Sequence, residues 1–507
     1  MKKIVVVGGG SAGWMTAATL IKTFPNKDIT LIESPNIPTM GVGESTIGGI
    51  KFWTKYLEID DKDFLKHTDG SYKLSIKFTD FGKKGTSFHY PFGKPFTQGN
   101  QAELNDWWFK KFLNPKLDNS DYATCHFPQM ALVNNNKIDY NKPQIIPFDF
   151  DKHTAYHFDA TKFGLWLRDH YCVPKGVKHI KEDIVSIEKD NNGIKSLNNK
   201  HTADLFIDCT GFKSLLLGKT LKEPFESYSD MLPNNSAWAT KIPYENKEEE
   251  LQPFTNCTAL GNGWVWHIPL WSRIGTGYVY SDKYISDEEA LDEFKKHLGR
   301  DNLEFKKLKM RVGIHNRLFV KNVAAIGLSA GFIEPLESNG LFTVHEFLMR
   351  LVRTLNRDKI SQWDKDNYTY QCKRLFRDFA EFVAMHYAMS QRTDTEYWRD
   401  NFNKEWSNDL INLKRNLTNG FVDAAINKDD DYHFPKNDGL HCIAAGMNWP
   451  PTDYETISLY QQKTKEELAR EWQHPIKKLD MRKKDWNNMI QHLPSLYKFL
   501  KNNIYNK

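Results

Sequence analysis

Ile4-Val5-Val6-Val7-Gly8-Gly9-Gly10-Ser11-Ala12-Gly13 sets four β-branched residues against a glycine turn that reads G-x-G-x-x-G. The run predicts a strand from Ile4 to Val7, the turn, and a helix from about Ala12 to Thr23. A second strand, Ile29 to Ile32, ends on Glu33, roughly 20 positions past the motif. This is a βαβ unit. Gly8 and Gly10 let the turn tighten and the backbone approach a pyrophosphate at the helix N-terminus, where Ser11 and Ala12 lie, while Gly13 permits close packing of helix on strand. Glu33 stands where a ribose hydroxyl would be held. By itself the unit does not separate FAD from NAD.

Two later strands end in similar turns. Ala203 to Asp208 runs into Cys209-Thr210-Gly211, and Val323 to Ile326 runs into Gly327-Leu328-Ser329-Ala330-Gly331. Both resemble the closing turns of FAD-dependent oxidoreductases, and no second G-x-G-x-x-G is present to hold a nicotinamide nucleotide. The reading is therefore an α/β fold with a discontinuous, Rossmann-like FAD-binding domain over 1–345. Inside it, an excursion over about 81–150, rich in Pro, Asn, Phe and Trp, reads as irregular and contributes to the substrate site. Further strand signals fall at Asp183 to Glu188 and across Trp264 to Tyr280. From Leu341, apolar residues recur at helical spacing, and 346–507 reads as a mostly helical substrate-binding region.

Composition excludes other classes. The 507 residues are 40% hydrophobic and 13% aromatic, which excludes disorder. The net charge of +5 is spread along the chain, so no basic stripe suits nucleic acid. Six scattered cysteines form no CxxC pair, and His153 and His157 find no third ligand, so no metal is expected. Met1-Lys2-Lys3 leads into a strand cut short by glycines rather than into a secretory leader, and no apolar stretch approaches bilayer length. A cytoplasmic protein is expected.

Trp264-Val265-Trp266-His267-Ile268-Pro269 reads W-x-W-x-I-P. With Gly8 to Trp14, Gly41-Val42-Gly43-Glu44-Ser45-Thr46, Lys73 and Glu334-Pro335-Leu336-Glu337-Ser338-Asn339-Gly340 in the same order, the chain resembles flavin-dependent halogenases of the tryptophan-halogenase branch from end to end. The resemblance implies FAD, reduced by a separate flavin reductase, and a halide ion. Its cofactor-binding positions are Gly8, Gly10, Ser11, Ala12, Gly13, Glu33, Gly41, Gly43, Glu44, Ser45 and Gly327. It places halide at the peptide groups of Asn339 and Gly340, just before the helix that starts near Leu341, where a helix N-terminus favours an anion. The family usually has Thr where Asn339 stands, a change that leaves the backbone donors intact. Trp264 and Trp266 are taken to keep organic substrate off the flavin. Hypohalous acid then passes to Lys73 and Glu337, the two residues expected to carry out ring halogenation. Pattern alone reads Tyr72, Leu74, Ile76 and Phe78 as the buried face of one strand, with Lys73 and Lys77 toward solvent.

For the substrate, Tyr90 and Phe92 align with the aromatic positions that sandwich the ring, and His441 and Trp449 join them. Tryptophan-specific members carry a tyrosine pair where this chain has Leu440-His441, so the expected substrate is an indole or other electron-rich arene without an amino-acid handle. A homodimer stays open. Three rivals remain: an aromatic monooxygenase on the same flavin, a hydrolase in which Gly327-Leu328-Ser329-Ala330-Gly331 forms a G-x-S-x-G elbow, and a flavin-binding protein without catalysis.

Overall fold

The computed structural model describes residues 1–37, 44–98, 103–140, 145, 147–357, 359–420, 436–453 and 455–506. The β-branched run opening the chain forms the strand Lys3–Val7, buried on both faces as an interior parallel strand must be. It pairs in parallel with Asp28–Glu33 on one side and Leu205–Asp208 on the other. Val323–Ala325 and Lys178–Lys181 extend this sheet outward, and the antiparallel Phe319–Val320 closes one edge at six strands. Three of the six strands thus come from beyond residue 200, and the dinucleotide sheet is assembled from distant segments.

The helix Ser11–Thr23 starts directly from the glycine turn and is buried along most of its length. Lys178–Lys181 is the strand beside Asp28–Glu33, whereas the expected strand over Asp183 to Glu188 is absent: the chain stays irregular to Ser186, and Ile187–Asp190 pairs in a separate hairpin. Ile184-Val185 misleads because it is apolar, yet Val185 is 85% exposed.

A seven-stranded sheet forms the second layer. Its centre is the meander Phe254–Ala259, Gly263–Pro269 and Ile274–Tyr280, with Ser75–Thr79 running parallel to Phe254–Ala259. A three-stranded sheet joins Glu44–Ser45, Ala155–Phe158 and Ser71–Lys73. The segment 71–79 is therefore two strands, not one. It changes sheets at Leu74, whose N–H donates to the Pro253 carbonyl. That switch places Lys73 between layers, fully buried, and corrects the solvent-facing assignment of its pattern.

The excursion is also more regular than its composition suggests. It contains the strand Ser87–Pro91 and the helices Glu103–Leu113, Asp121–His126 and Gln129–Asn134. Helix Glu103–Leu113 lies under the long helix Lys465–Met489, with Phe109 stacked on Trp472 at 3.8 Å. Helices Gly340–Leu355 and Gln362–Ala388 carry the chain from the flavin-type sheet to the helical part. Among the described residues no helix is long and apolar enough to cross a membrane, and no cluster of His, Cys, Asp and Glu is set to hold a metal.

Candidate active site

The glycine turn forms one wall of a cavity of about 580 Å³. Gly8 has φ +114°, and a Cβ there would stand 2.3 Å from the Cys209 carbonyl oxygen. A Cβ on Gly13 would stand 1.8 Å from the Gly8 oxygen, so that glycine is what lets the helix approach the strand. Glu33 reaches over Gly9 and lies 2.6 Å from His179 Nε2. Gly10, Ser11, Ala12, Glu44, Ser45 and Gly327 also line the cavity, as do Trp266 and the segment 338–340. Gly41 and Gly43 lie outside the described residues. A cavity whose wall at Gly8 and Gly9 has no room for a Cβ fits a dinucleotide whose pyrophosphate meets the N-terminus of helix Ser11–Thr23.

Trp264 and Trp266 share a face of the strand Gly263–Pro269, their rings 6.3 Å apart, but they do different things. Trp266 lines the cavity. Trp264 lies behind it, and its indole N–H donates to Glu334 Oε2 at 2.9 Å. The same carboxylate oxygen accepts from Asn234 Nδ2 and the Tyr387 hydroxyl. Motif reading assigned Glu334 no role of its own.

Pro335–Glu337 forms a short 3-10 turn that ends at Ser338 in the left-handed region, φ 58°. The helix Gly340–Leu355 starts immediately after it. Asn339 holds the N-cap position without capping: its Nδ2 donates to the Ile333 carbonyl, and its buried Oδ1 has no hydrogen-bond partner. The first N–H groups of a 16-residue helix are thus left without a side-chain cap, at the cavity wall, as an anion site requires.

Lys73 reaches this turn from the other side. Its Nζ donates to the Thr46 carbonyl at 2.9 Å and to Ser338 Oγ at 2.8 Å. Ser338 donates on to Ser45 Oγ at 3.0 Å, and Thr255 links Ser45 to His157 Nε2. Ser45, Thr255 and Ser338 all line the cavity, so a hydrogen-bonded chain connects the lysine to the cavity wall. Burial lowers Lys73 from the usual ammonium range to about 7.

Glu337 is 1% exposed, and burial raises its carboxyl above the usual range, opposed by His386 and Lys73. Its Oε1 lies 3.0 Å from His386 Nε2, an ion-pair separation at which the angle is too poor for a hydrogen bond. His386 Nδ1 is 3.1 Å from the Val383 carbonyl. No sequence signal marks His386, which sits in helix Gln362–Ala388 without a motif.

Phe92 lies 5.0 Å from the Lys73 ammonium, and Tyr90 meets both Phe92 and Phe382 edge-on. Phe382 in turn faces His386, so an aromatic wall runs from Lys73 round to the partner of Glu337. The backbone at Gly439 touches this wall, since a Cβ there would stand 2.6 Å from Phe382. His441, two residues on, is fully buried and held neutral, its imidazole lowered to about 3. Trp449 is half-buried beneath Lys414 and makes no ring contact with Tyr90 or Phe92 among the described residues. Beyond Phe382, a second cavity of about 350 Å³ holds Arg377, which pairs with both Glu381 and Asp409.

Comparison with known proteins gives this geometry its family. The sequence profile described as tryptophan halogenase matches residues 3–462. The chain belongs to the tryptophan halogenase family. The halogenase is 30% identical to tryptophan 6-halogenase ThaL of Streptomyces albogriseolus over 99% of its own length and 98% of ThaL. Its fold superposes on the VirX1 apo structure with a TM-score of 0.85, 36% identity and 99% of each chain covered. It also superposes on Xcc4156, a flavin-dependent halogenase from Xanthomonas campestris, with a TM-score of 0.86, 27% identity and 99% and 98% covered. The protein is a flavin-dependent halogenase with the α/β fold expected of it.

Proposed function

We propose that the halogenase binds FAD supplied in reduced form by a separate reductase, converts a halide held at Asn339 and Gly340 into hypohalous acid, and transfers the halogen to an indole or related electron-rich arene. Bound reduced flavin supplies the electrons that make dioxygen an oxidant for halide. The protein's part is to keep that oxidant and the organic ring apart. The observation that carries this reading is the turn 335–340, whose Ser338, Asn339 and Gly340 line the flavin-side cavity while Glu337 and the Ser338 contact of Lys73 lie on its buried side.

Lys73 then holds hypohalous acid against the aromatic wall of Phe92 and Tyr90. As halogen passes to a ring carbon the O–X bond breaks, and the hydroxide left behind takes a proton from the Lys73 ammonium to leave as water. Glu337 stabilises the cationic ring and accepts the displaced ring proton, a task suited to a carboxyl whose basicity is raised by burial. Among the described residues, Leu440 and neutral His441 stand at the tyrosine-pair positions and the nearby Arg377 is already paired with Glu381 and Asp409, so none of these three offers an amino-acid handle a grip.

The test is a panel of arenes with reduced flavin, oxygen and chloride, bromide or iodide, read by mass spectrometry. Halogenated indole exceeding halogenated tryptophan is expected, and tryptophan clearly outperforming indole overturns the substrate assignment. Oxygenated product without halogen would favour a monooxygenase. Ser329 speaks against a hydrolase, because its buried hydroxyl donates to the Asp208 and Ile326 carbonyls rather than to a base. A fluorophosphonate probe should leave it unlabelled.

A further inference from the structure

The halide position has a neighbour that neither helix nor glycine accounts for. Glu44 begins the short strand Glu44–Ser45, opposite Phe158, and lines the cavity. A Cβ built on Gly340 would stand 3.7 Å from Glu44 Oε2, so the carboxyl lies against the N-terminus of helix Gly340–Leu355. Among the described residues it has no hydrogen-bond or ion-pair partner. Asn339, at the N-cap, leaves the same helix end uncapped and its own buried Oδ1 without a partner. Two anions therefore compete for one uncapped helix end: the carboxylate of Glu44 and the incoming halide.

We propose that Glu44 is part of the halide site and must be a neutral carboxyl when halide is bound, so that each halide enters together with one proton. The step is a binding equilibrium: carboxylate, halide and one proton from solvent give the carboxyl and the bound halide, with charge conserved. It rests on the placement of halide at Asn339 and Gly340.

The surroundings suit this exchange. Burial first, and Asp159 second, raise the Glu44 carboxyl to about 7, so both forms are populated near neutrality. Asp159 follows the strand Ala155–Phe158 and is itself paired with Arg273 at 2.6 Å, which keeps it ionised. His157 on that strand is lowered well below its ordinary range, and His345 on the helix is lowered to about 4, both by burial. Neither carries charge in the relevant window. Glu337 precedes the helix on the buried side, and Lys73 reaches Ser338 from the same side. Among the described residues Lys73, lowered to about 7, and Glu337, raised by burial, are also set to change charge nearby, and Lys73, which titrates in the same window, needs a control variant. Two unit charges about 4 Å apart in a poorly solvated site repel strongly enough to weaken halide binding by a factor on the order of a thousand.

The experiment is calorimetric titration of the flavin-loaded enzyme with bromide between about pH 6 and pH 9, in two buffers of different ionisation enthalpy. The expected dissociation constant is level below about pH 6 and rises about tenfold per pH unit above 7, with close to one proton taken up per bromide at the upper end. Lys73→Met should keep this slope, and Glu44→Gln should flatten it. A slope that persists in Glu44→Gln, or a wild-type affinity that does not change with pH, overturns the inference while leaving the halide site standing. No saturable bromide binding at pH 6 would instead refute the halide site itself. Should Glu44→Gln not retain flavin, proton uptake by wild type and Lys73→Met decides: about one proton per bromide in both supports the proposal, and none overturns it.

Discussion

Replacing Lys73 with methionine should stabilise the halogenase at low pH relative to wild type, by an amount that shrinks as pH rises. The side chain is fully buried, and its ammonium falls from 10.5 to about 7 in the folded protein. The sign follows from linkage. Between about 7 and 10.5 the unfolded chain holds a proton on Lys73 that the folded chain does not, so wild-type stability rises with pH across that window. Below the folded value the full penalty for burying the charge is present. At 1.36 kcal/mol per unit, the shift of roughly 3.5 units corresponds to a penalty on the order of 5 kcal/mol at low pH. At pH 9 about 2 kcal/mol of it is left. Loss of the hydrogen bonds to Thr46 and Ser338 offsets part of the gain at every pH. The pH-dependent part does not share that offset. Denaturant unfolding of wild type and Lys73→Met at pH 6 and pH 9 should therefore show the stability difference moving by about 2.5 kcal/mol in favour of wild type at the higher pH. A difference that stays constant, or moves the other way, refutes the reasoning that Lys73 titrates from a buried position. The same variant should release hypohalous acid but leave the aromatic ring unmodified once free oxidant is scavenged.

Glu337→Gln should lower ring halogenation by roughly a hundredfold or more while oxidant release continues, measured as halogenated product against total halide oxidised. Gly8→Ala should abolish flavin retention, because its Cβ would meet the Cys209 carbonyl at 2.3 Å in a backbone conformation that disfavours alanine; the flavin absorbance of the purified protein reports it. Glu334→Ala should cost at least about 3 kcal/mol of unfolding free energy, since it strands the buried donors of Trp264, Asn234 and Tyr387, and Glu334→Gln should recover most of that loss.

Local chemistry at one end of a motif was legible where backbone geometry demanded a residue type. The strand and turn from Lys3 to Gly13 follow from β-branched residues and glycines whose missing Cβ atoms are visible as close contacts. Asp159, of a residue type that favours helix N-termini, accepts the Lys162 N–H at the start of Ala160–Trp166. What failed was periodicity where burial has no single face. Trp107, Trp108 and Phe109 are consecutive and all buried, so helix Glu103–Leu113 shows no clean stripe. Lys178–Lys181 is an edge strand with little buried surface and reads as polar loop. Lys73 looked exposed because alternation assumes one sheet, whereas the chain leaves one sheet and enters another at Leu74. His386 and Glu334 were illegible for a different reason. Their importance lies in pairings across 49 and 53 positions of sequence, and no local pattern encodes those.

Those pairings explain why the turn at 335–338 holds its shape. Glu334 precedes the turn and Glu337 ends it, and they meet the consecutive residues Tyr387 and His386 of a single helix. Ser338 sits at a positive φ that a non-glycine residue adopts at a cost of about 1 kcal/mol, so the turn needs outside support. Support comes from both sides: Lys73 and Ser45 fix Ser338, while the helix partners fix the two glutamates. Because Glu334 also holds Trp264, the tryptophan strand, the start of helix Gly340–Leu355 and the Glu337 carboxylate are parts of one buried polar assembly. A change that loosens Glu334 should therefore reach Glu337 through the shared helix, even though Glu334 touches neither cavity. Substitutions there are expected to alter the ratio of ring halogenation to free oxidant, and not the rate of oxidant formation alone.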